Sequence, residues 1–304
     1  MRAQVLVVHK KSAYQIYVQE RGHARMVELL EQGDASVSRL MRAHRDHEAT
    51  IELARQSLRA LGVKAVFRRR SDPSTTARFD LVVTLGGDGT LLAASHMVPA
   101  DCPVIAINSA PSDSVGHFCA ATKEDLAERL AEALRGALPQ TRLTRMQVSL
   151  DGQTVSTRVL NDLLFAHTCP AATTRYAITV DGRSEEHKSS GVWVATAAGS
   201  TAAVHSAGGK VQPIGSRRLQ YAVREPYAAA QEHFDLLRGF IAPGEQLELQ
   251  SHIRAGCLYI DGPHIKRAVP IGARLLMQRS SESLTLLGYR EAGAFRSPPH
   301  SKEA

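Results

Sequence analysis

Several things are scarce in this chain of 304 residues. Only 5% are aromatic, which leaves little to build a stacking platform for single-stranded nucleic acid. The four cysteines, Cys102, Cys119, Cys169 and Cys257, fall in no C-x-x-C spacing. That argues against zinc and against a disulfide framework, and it makes a reduced, cytoplasmic protein the expectation. No apolar run approaches the roughly 18 residues of a membrane span, so no membrane partner is expected. Arg2 leads straight into Ala3-Gln4-Val5-Leu6-Val7-Val8, and no secretory leader is expected. None of the 13 histidines falls in a ligand-like cluster, and His187, His205 and His264 read as surface residues.

Charge is not balanced. Lys and Arg number 37 against 30 Asp and Glu, a formal net charge of +7. A positive balance suits a nucleotide, a phosphate or a nucleic acid; an Arg-rich proteome would produce it too. The densest run, Phe67-Arg68-Arg69-Arg70, has no interleaved aromatics, and nucleic acid is not expected as a partner. With 43% hydrophobic residues the chain can bury one large core or two modest ones.

The chain turns on residues 80–92. The run Leu81-Val82-Val83-Thr84-Leu85 is short, apolar and β-branched, as a buried parallel strand is. It ends in Gly86-Gly87-Asp88-Gly89-Thr90, and good helix formers follow. Strand, tight turn and helix place that turn at the carboxyl edge of an α/β sheet, where ligands bind. Glycines let a ligand approach the backbone closely. Their N–H groups, with the helix start, suit an anion. A Gly-rich turn with no ligand is the plainer alternative. No Lys follows, which excludes a Walker A loop, and the G-x-G-x-x-G spacing fails at Leu92. Asp88 could equally cap the helix behind it.

The rest of the chain alternates around this stretch. Strands are predicted at residues 3–8, 63–67, 80–85 and 103–108. A short helix is predicted around 25–30. A long one spans about 39–61, capped by Ser38, with Ile51, Ala54, Leu58 and Leu61 on one face and Gly62 just beyond. Thr122-Lys123-Glu124-Asp125 resembles a capping box for a helix carrying Leu126, Leu130 and Leu134. Residues 1–138 therefore read as an α/β domain with a parallel, doubly wound sheet. From 139 to 275 the period falls near two, with hairpin turns at Asp151-Gly152 and Asp181-Gly182, so this domain is mostly β. Residues 276–291 form a strand-bearing return segment, with a strand at 284–288, and 292–304 read as a disordered tail.

A second stretch, Gly191-Val192-Trp193-Val194-Ala195-Thr196 followed by Ala197-Ala198-Gly199-Ser200-Thr201-Ala202-Ala203, again runs a strand into a Gly-Ser-Thr turn. Small side chains there admit a flat ligand, or simply pack a strand against a helix. Taken with residues 86–90 and Asn161-Asp162, this order resembles the NAD kinase family, over about residues 3–290. The mitochondrial-type branch is the most similar: Lys188-Ser189-Ser190-Gly191, Val223-Arg224-Glu225-Pro226 and Asn108-Ser109-Ala110-Pro111-Ser112 with Gly116-His117 are like that branch. The bacterial majority carries Asp at the place of Ser190, Pro-Thr at Ala197-Ala198 and Tyr at Ala203.

The resemblance implies transfer of the ATP γ-phosphoryl group to the 2′-hydroxyl of the adenosine ribose of NAD or NADH. Gly86, Gly87, Gly89 and Thr90 would hold phosphate, and Asp88 would orient the hydroxyl or accept its proton. Asn161 and Asp162 would meet adenine and ribose, or else form an Asx turn. Thr196, Ser200, Thr201, Ala202 and Ser206 would lie along the NAD pocket, with Ser190 at the nicotinamide end. Phe118 would wall it, or be an ordinary core aromatic. Mg²⁺ would come with ATP, without a metal site of the protein's own. Polyphosphate is the alternative donor. A homodimer is expected, because a neighbouring subunit completes the NAD site in relatives. Two other functions fit the same stretches: a catalytically silent nucleotide sensor, and a lipid kinase of the diacylglycerol or sphingosine type. Arg224 and Asp261 match family positions, but chemistry assigns them no role, and Asp261-Gly262 could be a plain turn.

Overall fold

Four short runs form neighbouring strands of one parallel sheet. A computed structural model describes residues 3–72, 78–227 and 233–290. The chain divides into two units, residues 142–284 and the rest. In the first unit, β1 (Gln4–His9), β2 (Lys64–Arg69), β3 (Leu81–Gly86) and β4 (Val104–Asn108) lie in the order β4-β3-β1-β2. All pairs are parallel. Every residue of β3 and β4 is buried, as expected of strands covered on both faces. Helices α1 (Ala24–Glu31), α2 (Ser38–Ala60), α3 (Asp88–Ser95) and α4 (Leu126–Leu134) complete the unit, with a two-residue strand β5 (Ala121–Thr122) beside β4. Ile51, Ala54 and Leu58 of α2 and Leu126 and Leu130 of α4 pack with Val5, Val83 and Ile105 in one core.

Two helix starts differ from the sequence reading. Ser38 has helical dihedrals, and its hydroxyl donates back to the Ala35 carbonyl rather than accepting a helix N–H. A 3-10 turn at Ala35–Val37 leads into α2 and displaces the cap. Only half of the capping box forms: Asp125 accepts the Thr122 N–H at 2.8 Å, but the Thr122 hydroxyl goes to Glu124. Leu61 falls one place past α2 and is exposed, while Gly62 takes φ +68° just beyond.

The second unit is antiparallel. The six-stranded sheet runs β13-β12-β11-β8-β15-β16, built from β8 (Asp162–His167), β11 (Val192–Ala195), β12 (Leu219–Val223), β13 (Arg238–Ile241), β15 (Gly256–Ile260) and β16 (Ile265–Val269). A second set comprises β6 (Gln140–Leu150), β7 (Gln153–Val159), β9 (Thr174–Val180), β10 (Arg183–Ser189), β14 (Gln246–Ser251) and β17 (Arg274–Leu287). Leu163, Phe165, Val192 and Leu258 from the first set share a core with Met146, Tyr176, Leu249 and Met277 from the second. The turns Asp151-Gly152 and Asp181-Gly182 have positive φ at both residues, the type I′ geometry that suits a two-residue hairpin. The fold is an α/β unit with a parallel sheet, followed by a mostly β unit.

The strand predicted at 284–288 is the end of a longer one, β17, which begins at Arg274. β17 runs through Ser280-Ser281-Glu282-Ser283 without a break, so position 275/276 lies inside a strand. β10 was not anticipated: its inward positions are His187 and Ser189, which no apolar pattern marks. The tail expected at 292–304 lies outside the described residues.

Candidate active site

In the first unit β3 ends at Gly86, and α3 begins two residues later. A Cβ on Gly86 would strike the Thr90 side chain, and one on Gly87 would strike Ser114 Oγ. Around Gly89 the space is open. The turn therefore needs its first two glycines for packing, and the third leaves an approach. Thr90 is buried and its N–H donates to the Gly87 carbonyl at 2.9 Å.

Asp88 is the first residue of α3, yet its carboxylate does not cap that helix. Oδ2 accepts the His117 N–H and Oδ1 the Phe118 N–H, each at 2.9 Å. Gly116 turns the chain into these bonds with φ +64°; a side chain there would also strike Asn108. Asn108 holds the same loop, donating to the Ser114 carbonyl and accepting the Ala110 N–H. A carboxylate has about four lone-pair positions. Two are taken here, and one on each oxygen remains for a ligand. Phe118 is brought to the turn by its amide, while its ring is buried edge-on to His117 at 4.8 Å.

Behind the turn sits His47, fully buried in α2. Its Nε2 lies 2.9 Å from the Lys10 carbonyl and its Nδ1 2.7 Å from the Ser109 hydroxyl. A carbonyl can only accept, so Nε2 carries the proton and Nδ1 accepts from Ser109. Ser109 in turn donates its N–H to the Gly86 carbonyl. Burial pushes the imidazole down to about 4, from an ordinary value of 6.5. Between those values the unfolded chain binds the extra proton. This stabilisation is complete above pH 6.5 and is lost as pH falls towards 4. The expected loss is on the order of 3 kcal/mol. Urea unfolding at pH 7 and pH 4.5 checks it. Between the two pH values His47→Gln should lose less stability than the wild type, by about that amount; an identical change in both proteins would contradict the assignment.

In the second unit Asn161 and Asp162 stand where the chain enters β8. Asp261, with φ +47°, holds this corner. Its Oδ2 accepts the Leu160 N–H at 2.9 Å, and its Oδ1 accepts the N–H groups of Asn161 and Asp162 at 2.7 and 3.1 Å. Its own N–H donates to the Asp162 carbonyl. Asn161 Nδ2 donates to Asp162 Oδ2 at 3.1 Å. Burial, then the charge of Asp261, push the Asp162 carboxyl up to about 7; the Asn161 bond pulls the other way. Sequence reading left Asp261 without a role, because its partners lie about a hundred residues away.

The second Gly-Ser-Thr stretch packs against this corner. A Cβ on Gly199 would strike the Asn161 backbone carbonyl. Thr196 donates its N–H to the Asn161 carbonyl and its hydroxyl to the Leu160 carbonyl, and it accepts the Ala198 N–H. Ser200 donates to the Ala197 carbonyl and accepts the Gln212 N–H. Both side chains are fully buried, so in this geometry their hydroxyls shape the loop. Thr201 is exposed and Ala202 is half-buried. Ser206 ends the one-turn helix α5 (Ala203–Ser206) and lines a cavity of about 520 Å³ with Trp193, Ala203, Arg224, Glu225 and Arg238. Ser190 is half-buried and donates its N–H to the Arg224 carbonyl. The structure thus brings Gly86, Gly87, Asp88, Gly89, Thr90 and Phe118 together in one unit. It groups Asn161, Asp162, Thr196, Ser200, Thr201 and Ala202 in the other, with Ser190 and Ser206 further along.

One histidine is not where the sequence reading put it. His187 is buried, parallel to Tyr176 at 5.8 Å and against Phe234 at 4.6 Å, with Nε2 3.2 Å from Glu185. It points inward because β10 alternates. His205 and His264 are exposed. Among the described residues no group of three His, Cys, Asp or Glu could hold a metal ion.

A glycine turn with a tethered carboxylate at the carboxyl edge of a parallel sheet defines an α/β protein built to handle phosphate. Residues 1–138 match the family described as "ATP-NAD kinase N-terminal domain". A rice (Oryza sativa subsp. japonica) "Probable NADH kinase" is 34% identical over 265 residues, covering 80% of this chain and 82% of the rice protein. The human "NAD kinase 2, mitochondrial" is 29% identical over 250 residues, covering 66% and 57%. The solved structure of a yeast NADH kinase complexed with NADH has the same fold, with a TM-score of 0.70 at 16% identity, covering 98% of this chain and 90% of that one. The chain belongs to the NAD kinase family, and its relatives include the mitochondrial-type branch.

Proposed function

We infer that this protein is an NAD(H) kinase that transfers the γ-phosphoryl group of ATP to the 2′-hydroxyl of the adenosine ribose of NAD or NADH. The observation that carries the chemistry is the Asp88 carboxylate, fixed by two backbone amides and still able to accept on both oxygens. Phosphoryl transfer asks mainly for positioning and charge stabilisation. Asp88 is assigned to hold the ribose hydroxyl in line and take its proton as the oxygen–phosphorus bond forms and the bond to the departing ADP breaks. Carboxylates are ordinarily weak bases near pH 7, so alignment of the nucleophile is its larger contribution. The Asp88 and Gly89 amides open α3 ahead of its first backbone bond, which Thr90 makes to Gly87, and they are assigned to phosphate oxygens with Gly86, Gly87 and Thr90.

Asn161 and Asp162 are assigned to the adenosine. An Asp162 carboxyl titrating near neutrality can donate as well as accept a hydrogen bond to a ribose hydroxyl. The buried hydroxyls of Thr196 and Ser200 support that corner from behind, and Thr201 is assigned the exposed contact. A divalent cation such as Mg²⁺ would be carried by the ATP phosphates and by waters. When bound, it would offset phosphate charge.

Initial rates with Mg-ATP and either NAD or NADH, read by an enzymatic cycling assay, test this function. Formation of NADP or NADPH is the expected result; no product with ATP or with polyphosphate would overturn it. We also propose a homodimer or larger assembly, on the family resemblance. Sedimentation should show at least a dimer, and a stable, fully active monomer would contradict that.

A further inference from the structure

The register of the first sheet places a row of residues that the motifs do not explain. His9 of β1 stands opposite Leu85 of β3 and opposite Arg69 of β2, and Gly86 stands opposite Asn108 of β4. One step further along each strand, the row across the carboxyl edge reads Asn108, Gly86, Lys10, Arg70. The Arg70 N–H donates to the His9 carbonyl at 2.8 Å, which extends the pairing to that position. Neighbouring strands lie about 4.8 Å apart. Lys10 therefore flanks the first glycine of the turn, and Arg70 lies about one strand further out.

Three further observations bear on this pair. First, the Lys10 backbone is braced: its carbonyl accepts the fully buried His47 Nε2–H, and His47 continues through Ser109 to the Gly86 carbonyl. Lys10 and the glycine turn are thus parts of one hydrogen-bonded frame. Second, neither the Lys10 ammonium nor the Arg70 guanidinium forms an ion pair among the described residues, although both are half-buried. Third, the Lys10 ammonium is held below its usual range, by burial first and then by the charge of Arg70; Asp113 opposes this. Asp113 precedes Ser114, whose hydroxyl abuts Gly87. The ammonium therefore senses Arg70 on one side and the loop beside Gly87 on the other. Two neighbouring cations repel one another in the free protein, and a polyanion bridging both relieves that repulsion.

We propose that Lys10 and Arg70 form a clamp for the condensed-phosphate chain of the phosphoryl donor, extending the anion site of the Gly86 turn outward along the carboxyl edge of the sheet. The proposal rests on the kinase function above and names the residues that read the donor. Lys10 supplies a compact charge next to the turn. Arg70 supplies a planar fork suited to two phosphate oxygens. The phosphate chain can be that of a nucleoside triphosphate or an inorganic polyphosphate.

Binding separates this clamp from turnover. Calorimetric titration of the full chain with Mg-ATP, and separately with sodium tripolyphosphate, is compared for wild type, Lys10→Met and Arg70→Gln. Each neutral variant should weaken Mg-ATP by about tenfold or more, as expected for loss of one charge-assisted contact. NADH binding should change less than about twofold on the same scale, and Lys10→Arg should retain most of the Mg-ATP affinity. Tripolyphosphate binding that weakens by the same factor assigns the clamp to bare phosphate. Tripolyphosphate that does not bind, while Mg-ATP weakens in the variants, confines the clamp to nucleotide-linked phosphate; both results support it. Unchanged Mg-ATP affinity in both folded variants overturns it, and so does an equal loss of NADH affinity. The His47 bond is to the Lys10 backbone, so the side-chain exchange leaves that brace in place; Arg70→Gln provides an independent variant. Absence of NADP(H) formation by wild type would overturn the kinase function, while the Mg-ATP comparison would still decide the clamp.

Discussion

Asp88→Asn is expected to lower kcat by about 10² to 10⁴, the usual contribution of a positioned acid–base group. Two effects combine. The amide cannot accept the ribose proton, and it carries an NH₂ where the carboxylate had an oxygen. Both carboxylate oxygens accept backbone N–H groups, from His117 and Phe118. Asn satisfies one of them and sets its own donor against the other. The loop after Gly116 should lose about 1–3 kcal/mol of local stability. A melting curve and Mg-ATP titration separate the two effects. The fold and donor affinity should survive while turnover collapses. Turnover within tenfold of wild type would remove Asp88 from the proton path.

Asp261→Ala is expected to have the largest structural effect of any single change near the Asn161-Asp162 corner. It leaves the N–H groups of Leu160, Asn161 and Asp162 without their shared acceptor. Unsatisfied buried donors cost about 1–3 kcal/mol each, and the corner can relax for only part of that, so a loss of about 3–5 kcal/mol is expected in urea unfolding. A second effect runs the other way. Asp162 has a folded value near 7, above its ordinary 3.8, so between those values the folded state holds the extra proton. That contribution is present below pH 3.8 and is lost as pH rises through 7. Removing the Asp261 charge takes away part of the cause. The milder Asp261→Asn should move the Asp162 carboxyl down towards the usual carboxylate range, as read by carbon-13 NMR of its side chain. A carboxyl that titrates at the same pH in Asp261→Asn would show that burial alone sets it.

How far the sequence reading reaches depends on the range of the interaction. Residues 81–90 are legible because strand, glycines and helix are contiguous and each has one local cause. The hairpins at Asp151-Gly152 and Asp181-Gly182 are legible for the same reason, and both take the dihedrals that such pairs favour. The Ser38 cap is not, because the 3-10 turn ahead of it already supplies the geometry. β10 escapes because its buried side chains, His187 and Ser189, are polar. β17 looks like two strands because four small or charged residues interrupt an apolar pattern that the ladder ignores.

Site residues divide in the same way. Asp88 and Asn161-Asp162 stand in recognisable runs. The groups that hold them do not: the amides of His117 and Phe118 lie about thirty residues from Asp88, and Asp261 lies about a hundred from Asn161. His47 reads as one more polar residue of a long helix until its two partners, Lys10 and Ser109, are seen on opposite sides. Thr196 and Ser200 look like ligand contacts in sequence, because nothing in the chain order says that their hydroxyls are already used.

The position of the transferred phosphate tests the central claim most directly. NADH is incubated with Mg-ATP and the protein, and the purified product is examined by phosphorus-31 NMR coupled to the ribose protons. A single phosphomonoester coupled to the adenosine 2′ proton, formed about 10² to 10⁴ times more slowly when Asp88→Asn replaces the wild type, is the expected result. A phosphate on any other hydroxyl, or an unphosphorylated dinucleotide from an enzyme that binds both substrates, would contradict it.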